Sequence, residues 1–302
     1  MDISSQIQYQ QEENELTSHV TNIMLNPPES DPERKPIERV NIRDDNRCFL
    51  LYNLLSPKEC QYFIDACETI GLEELGSSVS KGYRNHTRCV VMGSQISEWL
   101  WERIKSSIEE ITILANNYKQ VGLGHKLEGE WKPIGLNNCW RMSKYTPGGH
   151  FGPHFDGPYI KDTNNRSLKT LNIYLNGDFE GGTTNFIKED QMLYKDQTGI
   201  FKAQQENILC KIKPEGGMAL IFNHHILHEG GALQTNCKYL LRSDIMYVRD
   251  DPPPLSANEQ TALDLLNEAE KCEGNREFDK AISLYTKAYK LWPALENSSY
   301  GS

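Results

Sequence analysis

The sequence predicts a mainly β domain with flanking helices (α+β), followed by a C-terminal helical hairpin. Between Trp140 and Val248, short apolar strands alternate with glycine pairs at 148–149, 181–182, 216–217 and 230–231. Several short strands at this spacing are typical of a β-sandwich, jelly roll or barrel. Helical patterns precede this region, and two apolar stripes at helical spacing follow it.

Length and charge limit the function. A chain of 302 residues suits one or two domains, and 32 basic against 42 acidic residues give a net charge of −10. An acidic protein repels polyphosphates, so we expect neither nucleic acid nor an anionic membrane as a partner. The N-terminus lacks a signal-peptide pattern, and no apolar run approaches the roughly 18 residues of a membrane span. We therefore expect a cytoplasmic or nuclear protein.

The eight cysteines are scattered and form no Cys-x-x-Cys pair. Structural zinc sites need closely spaced cysteine pairs, so we expect reduced thiols rather than a zinc-cysteine site.

The N-terminal third contains three predicted segments. Residues 1–38 are rich in Gln, Glu, Asn, Ser and Pro, which predicts a disordered tail. A buried strand is expected over residues 48–55. Ser56-Pro57-Lys58-Glu59 then forms a capping box with proline at the first helical position, which predicts a helix over 57–70. A second helix is expected from Ser94, with apolar positions at helical spacing as far as Leu114.

The C-terminal region is predicted to be separate from the folded domain over residues 39–251. Asp250-Asp251-Pro252-Pro253-Pro254 ends the strands, because proline cannot donate to a ladder. Residues 252–302 then form a hairpin around Gly274-Asn275 that resembles a single tetratricopeptide repeat. Such repeats need about three copies to bury a core, so packing on the main domain or on a second subunit is favoured over peptide binding. Protein contact through the hairpin stays open.

The motif His154-x-Asp156 is the first candidate for chemistry. Eight histidines and an Asp/Glu frequency of 42 in 302 give about one such motif by chance, so the motif alone is uninformative. On a strand, however, residues i and i+2 point to the same side, so both side chains can converge on one metal ion.

A third ligand is available in NHHILHEGG, which contains His224, His225 and His228. His228 is preferred because it ends an apolar strand and precedes a glycine pair. Two histidines and one carboxylate form the ligand set of non-haem Fe(II) oxygenases, which leaves open positions for a chelating co-substrate and dioxygen. A zinc site and a group of surface histidines are the alternatives.

The strand after these histidines carries charge on one face. Lys238, Leu240, Arg242 and Asp244 alternate with mainly apolar residues in KYLLRSDIMY. If the co-substrate is 2-oxoglutarate, a cation on this strand would bind its distal carboxylate. The alternative is a solvated outer face, which is the commoner meaning of such alternation.

Three segments carry a resemblance to a known family: WRMSKYTPGGHFGPHFDG, RSLKTLNIYLNGDFEGGTTNF and KPEGGMALIFNHHILHEGGALQTNCKYLLRSDIMY. In this order they resemble the prolyl 4-hydroxylase-like branch of the Fe(II)- and 2-oxoglutarate-dependent dioxygenases. The resemblance implies a double-stranded β-helix, which is a jelly roll, with helices packed on one sheet. We expect the dioxygenase domain to span residues 39–251, between the polar tail and the proline-rich boundary.

The resemblance also implies roles for individual residues. His154, Asp156 and His228 match the Fe(II) ligands, and Tyr145 and Tyr174 match tyrosines beside 2-oxoglutarate. Lys238 matches the cation that pairs with the distal carboxylate, and Arg242, on the same face, is its rival. The implied cofactors are Fe(II), 2-oxoglutarate and O2, with ascorbate as the expected reductant.

The implied reaction is hydroxylation of an aliphatic C–H bond with release of succinate and CO2. The favoured substrate is a prolyl residue of a protein or peptide. The alternatives are the same chemistry on a small molecule or free amino acid, and a non-catalytic jelly-roll binding module. His150 and His224 or His225 are expected to support the ligands. Arg84, Asn85 and Arg88 lie in a loop that contacts substrate or is plain surface.

Overall fold

The computed structural model describes residues 7–14, 17–42, 47–74, 80–114, 127–162, 164–189, 194–250, 255–275 and 277–296. Within these ranges, no helix has the length and apolar character needed to cross a membrane.

The larger sheet forms one wall of the molecule. Its main path runs β1-β2-β7-β10-β19-β12-β17-β4-β3, with β5 paired to β7 and a β8-β9 extension on β19. Its strands are β1 (Ile7–Asn14), β2 (Thr17–Leu25), β3 (Glu38–Asn41), β4 (Cys48–Tyr52), β5 (Glu73–Glu74), β7 (Thr87–Met92), β8 (Ile111–Ile113), β9 (Gly129–Leu136), β10 (Cys139–Tyr145), β12 (Asn165–Tyr174), β17 (Ala219–Asn223) and β19 (Lys238–Arg249).

The smaller sheet faces it, in the order β16-β13-β18-β11-β6. Its strands are β6 (Arg84–Asn85), β11 (His150–His154), β13 (Thr184–Ile187), β16 (Ile208–Ile212) and β18 (His228–Gly230), and β14 (Tyr194–Lys195) pairs separately with β15 (Phe201–Lys202). The orders β10-β19-β12-β17 and β11-β18-β13-β16 interleave early and late strands in both sheets. This is the topology of a jelly roll, so the predicted fold class is confirmed.

The N-terminal segment differs from the prediction. Ile23 and Leu25 on β2 are only 3% and 2% exposed and belong to the main core, and Met24 pairs with Met92 on β7. A disordered tail over 1–38 is therefore wrong for the part that contains these residues. Burial of these two apolar side chains in the core outweighs the polar composition of the surrounding segment. Composition averaged over the segment does not reveal them.

The flanking helices pack against the larger sheet. Helix α1 (Pro57–Ile70) has the predicted capping box between Ser56 and Glu59. Helix α2 (Ser94–Ile104) is shorter than predicted, because the chain tightens into a 3₁₀ turn over Lys105–Ser107 and then forms β8. The β-branched run Ile-Thr-Ile favours pairing with β9 over a longer helix. The strand predicted over 48–55 ends at Tyr52, where Asn53 adopts a left-handed conformation (φ 57°).

The predicted C-terminal hairpin is present. Helix α3 (Ala257–Gly274) and helix α4 (Phe278–Leu291) pack together, and α5 (Pro293–Glu296) follows. Ala262, Leu263 and Leu266 share a buried cluster with Ile160 of the β region, and α3 also contacts β7. The hairpin thus lies on the jelly roll. Most of the predicted boundary, residues 251–254, falls outside the described residues.

Candidate metal centre and its pocket

Three buried side chains form a cluster of metal-binding size. His154 ends β11, Asp156 follows it, and His228 begins β18, directly opposite His154 in the β11–β18 pairing. One ligand atom from each residue lies within 4.8 Å of the other two. Neither His224 nor His225 belongs to this cluster. Of the three candidates in NHHILHEGG, the structure therefore brings His228 to the His154-x-Asp156 motif.

The backbone fixes the tautomer of both histidines. His154 Nδ1 lies 2.7 Å from the Gly152 carbonyl and His228 Nδ1 lies 2.9 Å from the Ile226 carbonyl. A carbonyl only accepts, so each Nδ1 carries the proton and donates it, and each Nε2 presents a lone pair. The two Nε2 atoms lie 3.7 Å from Asp156 Oδ1 and Oδ2, respectively. Burial lowers the pKa of both imidazoles, which therefore stay neutral.

Asp156 is held in its charged form. Burial alone would raise the pKa of this carboxyl, but the Arg242 guanidinium, 3.0 Å from Oδ1, and the two imidazoles hold it well below its usual value. Thr170 on β12 donates to Oδ2 at 2.7 Å. Two neutral imidazoles and one carboxylate are the donor set that suits Fe(II).

A hydrogen-bond relay lies behind Asp156. Since Thr170 gives its only proton to Asp156, its oxygen accepts from His224 Nδ1 at 3.0 Å. His224 Nε2 must then accept from the Ser167 hydroxyl at 2.9 Å, and Ser167 accepts from the Tyr159 amide at 2.8 Å. Every donor in the relay is used, so Thr170 and Asp156 have one defined orientation. This supporting role of His224 agrees with the sequence expectation.

Lys238 lies on the same pocket wall and has a different environment from Arg242. Its ammonium donates to the Gly182 carbonyl at 2.6 Å and lies 5.3 Å from the ring centres of both Tyr145 and Tyr174. Among the described residues, no carboxylate lies within 4.0 Å of it. Burial lowers the pKa of Lys238 to about 7. Gly182, at φ 61°, turns the β12–β13 connection so that its carbonyl reaches this position.

Arg242 is paired on two sides. Besides Asp156 at 3.0 Å, its Nη2 lies 3.7 Å from Asp244. Asp244 in turn lies 3.8 Å from Arg141 on β10. The two cations that the sequence could not separate therefore differ in their partners, because among the described residues Arg242 is next to carboxylates and Lys238 is not.

Of the two predicted tyrosines, Tyr145 lines the pocket and Tyr174 lies behind it, next to Lys238. Tyr174 is fully buried, and its hydroxyl lies 2.7 Å from the Thr184 hydroxyl on β13. Tyr145 lines the pocket and stacks on His86 with 4.5 Å between ring centres. Burial raises the pKa of both phenols, so both remain hydrogen-bond donors.

The remaining predicted residues have varied positions. Arg84 and Arg88 are 8% and 6% exposed, so the plain surface-loop alternative is wrong for them, and Arg84 lines the pocket. His150 contacts the backbone carbonyls of Gly148 and Gly82, a structural role. His225 is buried and lies outside the cluster.

Several pocket residues were missed by the sequence interpretation. Arg141, Ser143 and Asn172 line the pocket. Arg141 and Ser143 share a strand face with Tyr145, and Asn172 shares one with Tyr174. Thr170 lies one step further on the same face of β12. The two-residue period that identified the Lys238 face would have found all four, had it been applied to β10 and β12.

Comparisons with known proteins agree with this geometry. Residues 140–242 match the family model of the 2OG-Fe(II) oxygenase superfamily. No curated protein sequence matches significantly.

Similar solved structures include the viral collagen prolyl hydroxylase vCPH from Paramecium Bursaria Chlorella virus-1 (18% identity, 69% of this chain and 99% of that chain, TM-score 0.41). A Pseudomonas putida prolyl-4-hydroxylase matches at 12% identity over 68% of this chain and 95% of its own, with a TM-score of 0.42. A Trichoplax adhaerens prolyl hydroxylase, in complex with a hypoxia inducible factor peptide fragment, matches at 17% identity over 67% and 84%, with a TM-score of 0.43. TM-scores this low carry no argument about substrate.

The family match spans β10 to the middle of β19, which is the stretch that contains the jelly-roll strands and the His-Asp-His cluster. The proteins described by this model are oxygenases that use Fe(II) and 2-oxoglutarate. Over residues 140–242 the chain is therefore similar to the 2OG-Fe(II) oxygenase superfamily.

Proposed function

We propose that the protein is an Fe(II)- and 2-oxoglutarate-dependent dioxygenase that hydroxylates an aliphatic C–H bond, with a prolyl residue of a protein or peptide as the substrate. One observation carries the proposal: the buried cluster of His154, Asp156 and His228 lies in a pocket whose wall contains a buried lysine that has no carboxylate partner among the described residues.

The three side chains suit Fe(II) as ligands. Both imidazoles present Nε2 lone pairs because their Nδ1 protons are held by backbone carbonyls, and Asp156 is charged. Three protein donors on one side leave the pocket side for other ligands. When bound, Fe(II) and 2-oxoglutarate supply the oxidation: O2 and 2-oxoglutarate are converted to succinate and CO2, and one oxygen atom is transferred to the substrate carbon.

Lys238 is proposed as the anchor of the 2-oxoglutarate distal carboxylate. A buried ammonium with one carbonyl partner loses much of its hydration, and a carboxylate beside it would restore that interaction. Arg242 already contacts Asp156 and Asp244. We therefore propose that Arg242 orients Asp156, while Lys238 binds the co-substrate as a point charge.

The prolyl substrate is proposed on the sequence resemblance. One observation favours the small-molecule alternative: Arg84, Arg141 and Arg242 line both the metal pocket and an adjoining pocket bordered by the hairpin residues Tyr285 and Tyr289. The hairpin thus narrows one approach to the metal cluster, and a narrow approach suits a small molecule better than a peptide. Ascorbate as reductant and a cytoplasmic or nuclear location stay predictions from the sequence.

The test is anaerobic addition of Fe(II) and 2-oxoglutarate to metal-free protein. Chelation of the ketoacid produces a weak visible metal-to-ligand charge-transfer band, which we expect in the wild type and in His225→Ala, a buried histidine outside the cluster. His154→Ala should lose the band, and Asp156→Ala should lose iron-dependent succinate formation. A band that persists in His154→Ala, or that never forms although iron binds, would refute the proposal.

The substrate is tested separately, by incubating the loaded enzyme with proline-containing peptides and with free amino acids. We expect a mass gain of one oxygen atom in a peptide. A gain that occurs only in free amino acids or other small molecules would overturn the prolyl assignment and leave the metal chemistry intact.

A further inference from the structure

A buried ion-pair network joins the C-terminal hairpin to the jelly roll. Glu273 of α3 accepts from Arg88 at 2.6 Å and from Arg141 at 3.0 Å. Glu270, one turn earlier, also accepts from Arg141 at 3.0 Å. The Glu273 side chain is 5% exposed, and its two partners are 7% and 11% exposed. Two strands of the jelly roll are therefore paired with one helix of the hairpin.

The network continues to the metal cluster. Arg141 lies 3.8 Å from Asp244, Asp244 lies 3.7 Å from Arg242, and Arg242 lies 3.0 Å from Asp156. Charges alternate in sign at every step from the hairpin carboxylates to Asp156. No other series of ion pairs among the described residues reaches the metal cluster from outside the jelly roll.

We propose that Glu273 is a positioning residue for the metal site, which sets through Arg141, Asp244 and Arg242 how strongly Asp156 binds a divalent cation. The hairpin then contributes to metal binding in the oxygenase domain. The inference rests on the proposed function, because it requires that Asp156 is a metal ligand.

The physical reason is competition for one carboxylate. A guanidinium 3.0 Å from Asp156 Oδ1 draws on the same negative charge as a metal ion would. Asp244 attracts Arg242 away from Asp156, and Asp244 is free to do so only while the hairpin carboxylates hold Arg141. When Glu273 loses its charge, Arg141 turns more fully to Asp244. Arg242 then interacts more strongly with Asp156, and metal affinity falls.

Both ends of the network are charged. Burial would raise the pKa of Glu273, but Arg88 and Arg141 hold it below its usual value, so this carboxylate stays ionised. Arg141 is likewise cationic, because Glu270 and Glu273 outweigh the effect of burial and raise its pKa. In the middle of the network, burial raises the pKa of Asp244 to about 6, so this carboxylate is ionised at pH 7 and above. Ionised groups in a low-dielectric interior transmit the loss of one charge more strongly than exposed pairs do.

The first experiment measures binding of Mn(II) alone to the metal-free full chain, from the electron paramagnetic resonance signal of the free ion. Partners behind a metal ligand typically change metal affinity by about 10- to 100-fold, and Glu273 is more distant, so we expect about tenfold weaker binding in Glu273→Gln. Glu268→Gln, which removes the same charge from an exposed position on the same helix, should bind like the wild type. Equal affinity of Glu273→Gln and the wild type would overturn the inference.

The second experiment tests whether the effect passes through Arg242. In an Arg242→Gln background, Glu273→Gln should not change Mn(II) affinity, whereas a loss of the same size as in the wild-type background would show a through-space or unfolding effect and overturn the inference. Glu270→Gln, which leaves Glu273 paired, serves if Glu273→Gln does not fold, and should weaken binding about threefold; no change would overturn the inference.

The two proposals fail in different ways. If wild-type protein binds no Mn(II), or His154→Ala binds it equally well, the metal site itself is refuted, and the inference with it. If the wild type binds Mn(II) through His154 and both hairpin variants match it, only the role of Glu273 is refuted.

Discussion

Buried cations at the two ends of the pocket have different partners. Under the hairpin, Arg141 meets carboxylates on several sides, from Glu270, Glu273 and Asp244. At the other end, Lys238 is also buried, and it contacts a backbone carbonyl and two aromatic rings. The difference separates groups that hold the fold together from a group that is available to a ligand.

The difference is informative because burying an unpaired charge costs free energy. A buried charge needs partners, and a group without them shifts its pKa toward the neutral form. Lys238 shows this shift, to about 7, whereas Arg141 keeps a raised pKa. A buried cation that has no anion beside it among the described residues is a candidate for anion binding. Lys238 and Arg84 both line the metal pocket in this state, and Lys238 is the one on the strand that follows His228.

The largest expected effect is on co-substrate binding. Truncating one partner of a buried charge pair costs about 3 kcal/mol, so Lys238→Ala should weaken 2-oxoglutarate binding about 100-fold. Lys238→Arg should restore part of it. The measurement is an anaerobic titration of the Fe(II) complex with 2-oxoglutarate. Arg242→Ala should weaken binding by less than about tenfold, and the opposite order of the two alanine variants would make Arg242 the anchor.

At the end of the pocket under the hairpin, where the cations are paired with carboxylates, a substitution should change the stability of the fold rather than co-substrate binding. Arg88→Gln removes a buried charged hydrogen bond to Glu273 and a guanidinium placed 4.9 Å from the Phe278 ring centre. We expect a loss of about 2 kcal/mol in the free energy of unfolding, measured by urea denaturation. Lys280→Gln, which removes an exposed ion pair with Glu277 in the same hairpin, should cause no measurable change. Equal stability of both variants would show that the buried pair contributes little.

The pH dependence of co-substrate binding is the next test. Because burial lowers the pKa of Lys238 to about 7, the free protein loses the ammonium charge as pH rises above that value. Affinity for 2-oxoglutarate should fall about tenfold per pH unit above 7, and binding should take up a proton. Lys238→Arg keeps its charge over this range, so its affinity should be flat. A wild-type affinity that stays flat to pH 9 would contradict the shift.

The same shift fixes the sign of the stability change. Lys238 has a lower pKa in the folded than in the unfolded chain, so between about pH 7 and pH 10 the unfolded chain binds more protons. Lys238 therefore makes the metal-free protein more stable as pH rises through this window, while it makes co-substrate binding weaker.

Local sequence patterns predicted those site residues that lie close together in the sequence. The two-residue spacing of His154 and Asp156 and the strand period of β19 are local, and both placed side chains correctly on one face. Lys238 and Arg242 lie on the same face of the same strand, so only their long-range partners distinguish them. Asp156 pairs with Arg242 across the jelly roll, and Glu273 reaches Arg88 across a separation of 185 residues.

The errors in the fold prediction have the same origin. Composition hid Ile23 and Leu25 within a polar segment, although both are buried against the sheet. Helical spacing continued past Ile104, but pairing with β9 takes residues 111–113 into a strand. In both cases a tertiary contact outweighs the local signal.

The smallest expected effects concern the relay behind Asp156. Thr170→Val keeps the side-chain shape but removes the 2.7 Å hydrogen bond to Asp156, so Mn(II) affinity should fall about tenfold. Ser167→Ala removes a hydrogen bond to His224, two steps from the Asp156 carboxylate, and should lower Mn(II) affinity about threefold. Mn(II) titration of both variants gives the ranking. If Ser167→Ala lowers Mn(II) affinity more than Thr170→Val does, the orientation of Asp156 is not set through the hydrogen bonds of the relay.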